Sequence, residues 1–180
     1  MSLQTCSLLT TDTPPDLGPG PRPGVRSEAV LNAELARFFQ QQKVSPPKQA
    51  LIKALALLWH DHLDAAHTLA QNIDSPDGAF LHGIMHRREP DYGNAAYWFR
   101  RVGRHAAFAE LSRQAGPMFA AANSTILEQE VLPRGEWDPF AFINVCERVS
   151  GRPQSDAERR LVRELQRLES LVLFDHLTDG

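Results

Sequence analysis

Cysteine is scarce in this chain. Cys6 and Cys146 are the two among 180 residues, too few and too far apart for a disulfide framework. Two free thiols in a reducing, cytoplasmic setting are expected. Long apolar runs are missing too. The longest, Ala54 to Trp59 (ALALLW), ends at once on His60, far short of the ~20 residues a membrane-spanning helix needs. No membrane partner is expected. Basic charge is not in excess: the formal net charge is −3 and the pI about 6.2. That lacks the footprint of a nucleic-acid binder. The N-terminus has no basic region followed by an apolar one, so no secretory signal is expected. There is no P-loop, no G-x-G-x-x-G after a strand, no G-x-S-x-G elbow and no C-x-x-C, which removes the usual nucleotide, serine-hydrolase and dithiol signatures. Cys146 sits among Ile143, Val145 and Val149, an apolar setting that does not suit a reactive thiolate.

Proline is present but unevenly placed. Pro14, Pro15, Pro19, Pro21 and Pro23, with Gly18, Gly20 and Gly24, fill the segment "TPPDLGPGPRPG". Such a segment builds neither a helix nor a ladder. Residues 1–26 read as a Pro/Gly-rich arm, either disordered or laid over the domain. Residues 27–180 read as a single α-helical domain, since 42% hydrophobic residues over this length can build one core. Helix starts recur along it. Ser27, Ser45 with Pro46, Ser75 with Pro76, Asp91, and Asp138 with Pro139 are N-cap signals, and Ser155 with Glu158 forms a capping box. Gly103 and Gly151 are stops. In the last helix Leu161, Leu165, Leu168 and Val172 make an apolar stripe. No segment alternates as a half-buried strand does. The expected fold is all-α, with six or seven helices.

The stretch "WHDHLDAAH", Trp59 to His67, is the most unusual in the chain. Aligning "HDHLDAAHTLAQ" (60–71) with "PDYGNAAYWFRR" (90–101) puts Asp61 on Asp91, Ala65–Ala66 on Ala95–Ala96 and Leu69 on Phe99. This echo predicts two consecutive helical hairpins, with a turn at 60–62. The alternative is one continuous helix over 46–73, which no glycine or proline interrupts. The segment "GIMHRREPDYGNAAYWFRR" resembles a tetratricopeptide or Sel1-type repeat over about residues 48–105. Gly83, Asp91–Tyr92, Ala95 and Phe99 stand at its packing positions, while His82 and His86 replace its usual apolar and aromatic residues. The resemblance implies stacked helical hairpins in a tetratricopeptide-like array, with C-terminal helices as a cap. The longer run "LLWHDHLDAAHTLAQ…DGAFLHGIMHRREPDYGNAAYWFRRVG" also resembles a family of uncharacterised bacterial and fungal proteins, which implies no particular reaction.

Candidate site residues follow from spacing. On a continuous helix His60, Asp64, His67 and Gln71 form one polar stripe. His82 and His86 are an i, i+4 pair that can ligate one metal ion, although Gly83 stands where the zinc-hydrolase motif has glutamate. Arg87 and Arg88 either stabilise a helix C-terminus or hold an anionic group, and Arg88 can instead pair with Asp64 or Glu89. Two functions come from these residues. The first is a helical binding module whose groove, lined by His60, Asp64, His67, Gln71, His82, His86, Arg87 and Arg88, takes a small polar ligand or peptide. The second is a metal-assisted hydrolase with zinc, manganese or iron on His60, His67, His82 and His86, and Asp61 or Asp64 as ligand or base. A scaffold with purely structural histidines is the third reading. The sequence sets no oligomeric state.

Overall fold

The computed structural model describes residues 7–179, so Cys6 and the start of the arm lie outside the described residues. Those residues form nine α-helices and no strand: α1 (Glu28–Gln41), α2 (Pro46–Trp59), α3 (Leu63–Ala70), α4 (Pro76–Arg88), α5 (Tyr92–Val102), α6 (Ala106–Ala121), α7 (Thr125–Val131), α8 (Pro139–Ser150) and α9 (Ala157–Thr178). No helix among the described residues is long and apolar enough to cross a membrane. Most expected starts are real caps. Ser27, Ser75, Asp91 and Asp138 each accept a backbone N–H of the following turn. Two expectations need correcting, and the first is the count, since nine α-helices among the described residues replace the expected six or seven. The last helix is capped by Asp156, which accepts from Arg159 N, and not by Ser155. Helices α6 and α7 lacked usable signals: the N-cap of α6 is a histidine, His105, and Pro117 lies inside it.

The turn at 60–62 exists. Asp61 takes φ 64° there, and His62, not Asp61, is the N-cap of α3. The break separates α2 from α3, and the two pack as a hairpin. Helices α4 and α5 form the second hairpin, with α4 against both α2 and α3. Helix α9 runs along α2, α6 and α8. It buries Val162, Leu165, Leu173 and Leu177, and also Gln166 and Glu169. Its buried face is therefore wider and more polar than the stripe of leucines suggested.

The close approach of α4 to α5 depends on Gly83. A Cβ there would stand 2.4 Å from Phe99 Cε2. Phe99 is itself buried and packed on Phe80 with ring centroids 5.4 Å apart, so it has little room to retreat. Gly83→Ala should therefore destabilise the protein by roughly 1–2 kcal/mol, because overpacking outweighs the helix-propensity gain. Chemical denaturation would measure it, and a stabilised variant would contradict this packing.

The arm lies against the helices. Leu8, Leu9 and Leu17 are buried with the helical core, and the segment Trp59–His62 holds the arm in place. Trp59 Nε1 donates to Thr11 Oγ1 at 3.1 Å. Asp61 Oδ2 accepts from Arg22 N at 2.9 Å, and its carboxylate also pairs with the Arg22 guanidinium. His62 Nε2 donates to Arg26 O at 2.7 Å. Gly20, at φ 84°, passes so close to Asp61 that a Cβ would stand 2.7 Å from its carboxyl carbon. Positive φ and this contact both select glycine.

Candidate functional site: two imidazole clusters

Each imidazole has two nitrogens, and their partners decide what the ring can still do. His60 is fully committed. Its Nε2 donates to Leu8 O at 3.0 Å, and its Nδ1 accepts from Arg26 N at 3.1 Å. The ring is neutral, buried and without a free lone pair. Burial, with the nearby cations of Arg26 and Arg22, pushes its pKa down to about 4, against the bond to Leu8 O. The unfolded chain therefore binds more protons between pH ~6.5 and ~4. Stability from His60 is fully present above ~6.5 and lost as pH falls through that window, by roughly 3 kcal/mol at most. A pH series of denaturation midpoints should show this slope, flattened in His60→Gln. An unchanged slope in that variant would assign the effect elsewhere.

His60 therefore leaves the predicted stripe with Asp64, His67 and Gln71. The turn redirects it to the arm. Asp64 and Gln71 are exposed on α3, and Gln71 Nε2 makes only a local bond to Thr68 O at 3.3 Å. The two arginines are interior. Arg87 and Glu169 are both 0% exposed and paired fork to fork, with the Arg87 guanidinium 4.7 Å from the Phe142 ring centroid. Burial alone would lower the Arg87 pKa, but the Glu169 charge and hydrogen bonds outweigh it and raise it. Arg88 reaches Asp61 Oδ1 at 2.7 Å, Gly18 O at 3.2 Å and Leu58 O. Its buried ion-pair partner is Asp61 rather than Asp64 or Glu89. Burial lowers the Arg88 pKa, and the Asp61 carboxylate opposes this.

The structure does bring three predicted histidines together. His67 from α3 meets His82 and His86 from α4, with ring centroids 5.6 and 5.5 Å away, both edge to face. His82 and His86 are 6.2 Å apart and nearly parallel. Trp98 of α5 stacks on His82 at 4.1 Å and lies parallel to His86 at 6.5 Å. The spacing explains this. Residues i and i+4 on α4 share a face, and Gly83 lets α5 approach closely enough for its indole to cover that face. Trp98 is half-buried as the wall of this polar corner. The Arg101 guanidinium also lies over the indole, 5.2 Å from the ring centroid.

His82 Nδ1 donates to Gly78 O at 2.9 Å. Its Nε2 is then an acceptor, and it is buried with no hydrogen-bond partner. Burial holds the ring below the usual histidine pKa, and positive charge on His67 and His86 would add to this. His86 Nδ1 lies 2.9 Å from Glu89 Oε2. Asn94 Nδ2 is 3.3 Å from His86 Nε2, a long bond. Among the described residues no hydrogen bond holds the half-exposed His67 ring.

The second cluster was not anticipated. Asp77 at the start of α4 accepts from His105 Nε2 at 2.8 Å and from His176 Nε2 at 3.0 Å. The three ligand atoms lie within 4.8 Å of one another, which is the spacing of a metal site. The tautomer argues otherwise. His105 Nδ1 accepts from Ala107 N at 3.1 Å as the cap of α6, so its proton is on Nε2 and goes to Asp77. No lone pair faces the centre from that ring. The hydrogen bond from His105, with His176 nearby, lowers the Asp77 pKa despite burial. This is a hydrogen-bonded junction of α4, α6 and α9. His105 and His176 are 71 positions apart in the numbering, so no local spacing announces them. A separate cavity lies apart from both clusters. It measures about 660 Å³ beside α7, and its Arg148, Glu130 and Glu158 are already paired. Cys146 is buried, and burial pushes its thiol up to about 12.

Comparison with known proteins finds no matching family model, no matching curated protein and no matching solved structure.

Proposed function

We propose that this chain is a cytoplasmic helical binding module. Its two hairpins, α2–α3 and α4–α5, stack in tetratricopeptide fashion and present His67, His82, His86, Glu89, Asn94 and Trp98 to a small polar ligand or peptide. The observation that carries the reading is the lone His82 Nε2. A buried acceptor without a donor costs roughly 1–3 kcal/mol, and a ligand that supplies the donor would recover that cost. Trp98 adds a flat aromatic wall, and Glu89 adds charge beside it. The ligand that fits presents an N–H or O–H to His82 and a flat or apolar face to the indole. Arg87 and Arg88 take no part, since their guanidinium groups are spent on Glu169 and Asp61.

A thermal-shift survey with chelator-treated protein tests this. Hydrogen-bond-donating small molecules and short peptides should include some that raise Tm in the wild type and fail to do so in His82→Phe. That variant keeps an aromatic ring on Trp98 but removes the acceptor. Equal stabilisation of both proteins, or no stabilisation by either class, would contradict the reading.

A further inference from the structure

The partners of the ring nitrogens point to a more specific ligand. A carbonyl oxygen only accepts, so the His82 proton sits on Nδ1, directed to Gly78 O at 2.9 Å. The Glu89 carboxylate 2.9 Å from His86 Nδ1 favours the same tautomer there, with Asn94 Nδ2 3.4 Å from that nitrogen. Both rings thus direct a lone pair from Nε2. This is the arrangement of a metal-ligating histidine, in which one nitrogen takes the ion and the other donates to a carbonyl or carboxylate that fixes the ring. His82 Nε2 has no other partner, and His86 Nε2 has only the long contact to Asn94 at 3.3 Å. The third ring, His67, has no hydrogen bond among the described residues and is held by its edge-to-face contacts with the other two.

The ring spacing agrees. An ion ~2.0–2.1 Å from a nitrogen of each ring would set three centroids about 5 Å apart. The observed separations are 5.5, 5.6 and 6.2 Å. The ligand atoms do not converge as tightly as those of Asp77, His105 and His176, and the widest gap, His82 to His86 at 6.2 Å, closes only if one of those two rings shifts toward the other. The Asp77 triple has the distances but not the lone pair. The histidine triple has the lone pairs and needs a small contraction.

We propose that His67, His82 and His86 bind one divalent transition-metal ion, with Gly78 O and Glu89 orienting two of the rings. Neutral imidazoles select zinc, nickel, copper or iron over magnesium or calcium. A fourth position stays open for a polar ligand. This rests on the α3–α5 face being the binding site: the ion takes the His82 lone pair, and the polar ligand then binds at the ion's open position rather than to His82 itself.

Cobalt(II) is the probe. The full chain, stripped with a chelator, is titrated with cobalt while visible absorption, equilibrium dialysis and Trp fluorescence are followed. The expected result is one ion per chain, with Trp98 fluorescence quenched. His67→Ala makes no change to a folding hydrogen bond, and its helical circular dichroism should match the wild type. Its cobalt affinity should fall on the order of 100-fold, whereas His105→Ala should bind cobalt as the wild type does. No stoichiometric uptake would overturn the proposal. So would binding that is lost in His105→Ala and kept in His67→Ala, because the ion would then lie at Asp77. Neither failure touches the binding-module reading, whose thermal-shift test is run without metal.

Discussion

Glu169→Gln should lower stability by about 3–5 kcal/mol. The physical reason is desolvation. Arg87 is 0% exposed and spends both terminal nitrogens on Glu169. Its Nε already lacks a partner. Glutamine keeps the volume of glutamate and removes only the charge, so a guanidinium would be left buried beside Phe142 without its counter-ion. A paired replacement distinguishes this from a simple packing defect. Arg87→Met combined with Glu169→Leu should recover most of the loss, since replacing both members of a buried pair with apolar groups is often neutral or better. Urea denaturation of the three proteins measures it. Equal losses in single and double variants would place the cost in packing. The pair ties α4 to α9, so the effect should appear as a drop in global stability, not as local fraying.

Asp61→Asn should cost a comparable amount, roughly 3–5 kcal/mol, but with a different signature. Asp61 is 1% exposed at its side chain and takes both Arg22 and Arg88. Asparagine tolerates the φ of 64° that Asp61 adopts, so the substitution removes charge without straining the turn. Two buried guanidinium groups then lose their anion. Arg22 belongs to the arm and Arg88 to α4, and Arg88 also holds Gly18 O. The arm should detach before the helices unfold. Hydrogen exchange should accelerate first at the Arg22 and Arg26 amides, which bond Asp61 and His60. Proteolysis within residues 10–26 should follow. Uniform exchange throughout the chain, with no early release of the arm, would contradict this account.

These two pairs explain what could be read from the residues and what could not. Caps are local chemistry, so Ser27, Ser75, Asp91 and Asp138 announced their helices from sequence. The turn after Trp59 was legible through the echo at residue 90. The meeting of His82 with His86 followed from i, i+4 spacing. His67, on the preceding hairpin, joins them through the packing of α3 on α4. What was not legible was long-range. Arg87 finds Glu169 and Asp61 finds Arg22 through tertiary packing, and neither pairing has a sequence spacing that predicts it. The same holds for His105 and His176 on Asp77. The stripe of His60, Asp64, His67 and Gln71 presumed a continuous helix. A left-handed residue at position 61 breaks that helix and sends His60 to Leu8 O.

The "WHDH" segment thus proves to be a clasp for the arm, while the histidines with chemistry to spare are those facing Trp98. Long-range proton–nitrogen correlation of the histidine rings, on chain stripped of metal near pH 7.5, tests this division most directly. The account predicts His60 and His105 protonated at Nε2, His82 protonated at Nδ1, and the lone Nε2 of His82 shifting when cobalt-free zinc is added while His60 stays fixed. A His82 ring protonated at Nε2, or a zinc response confined to His105 and His176, would contradict it.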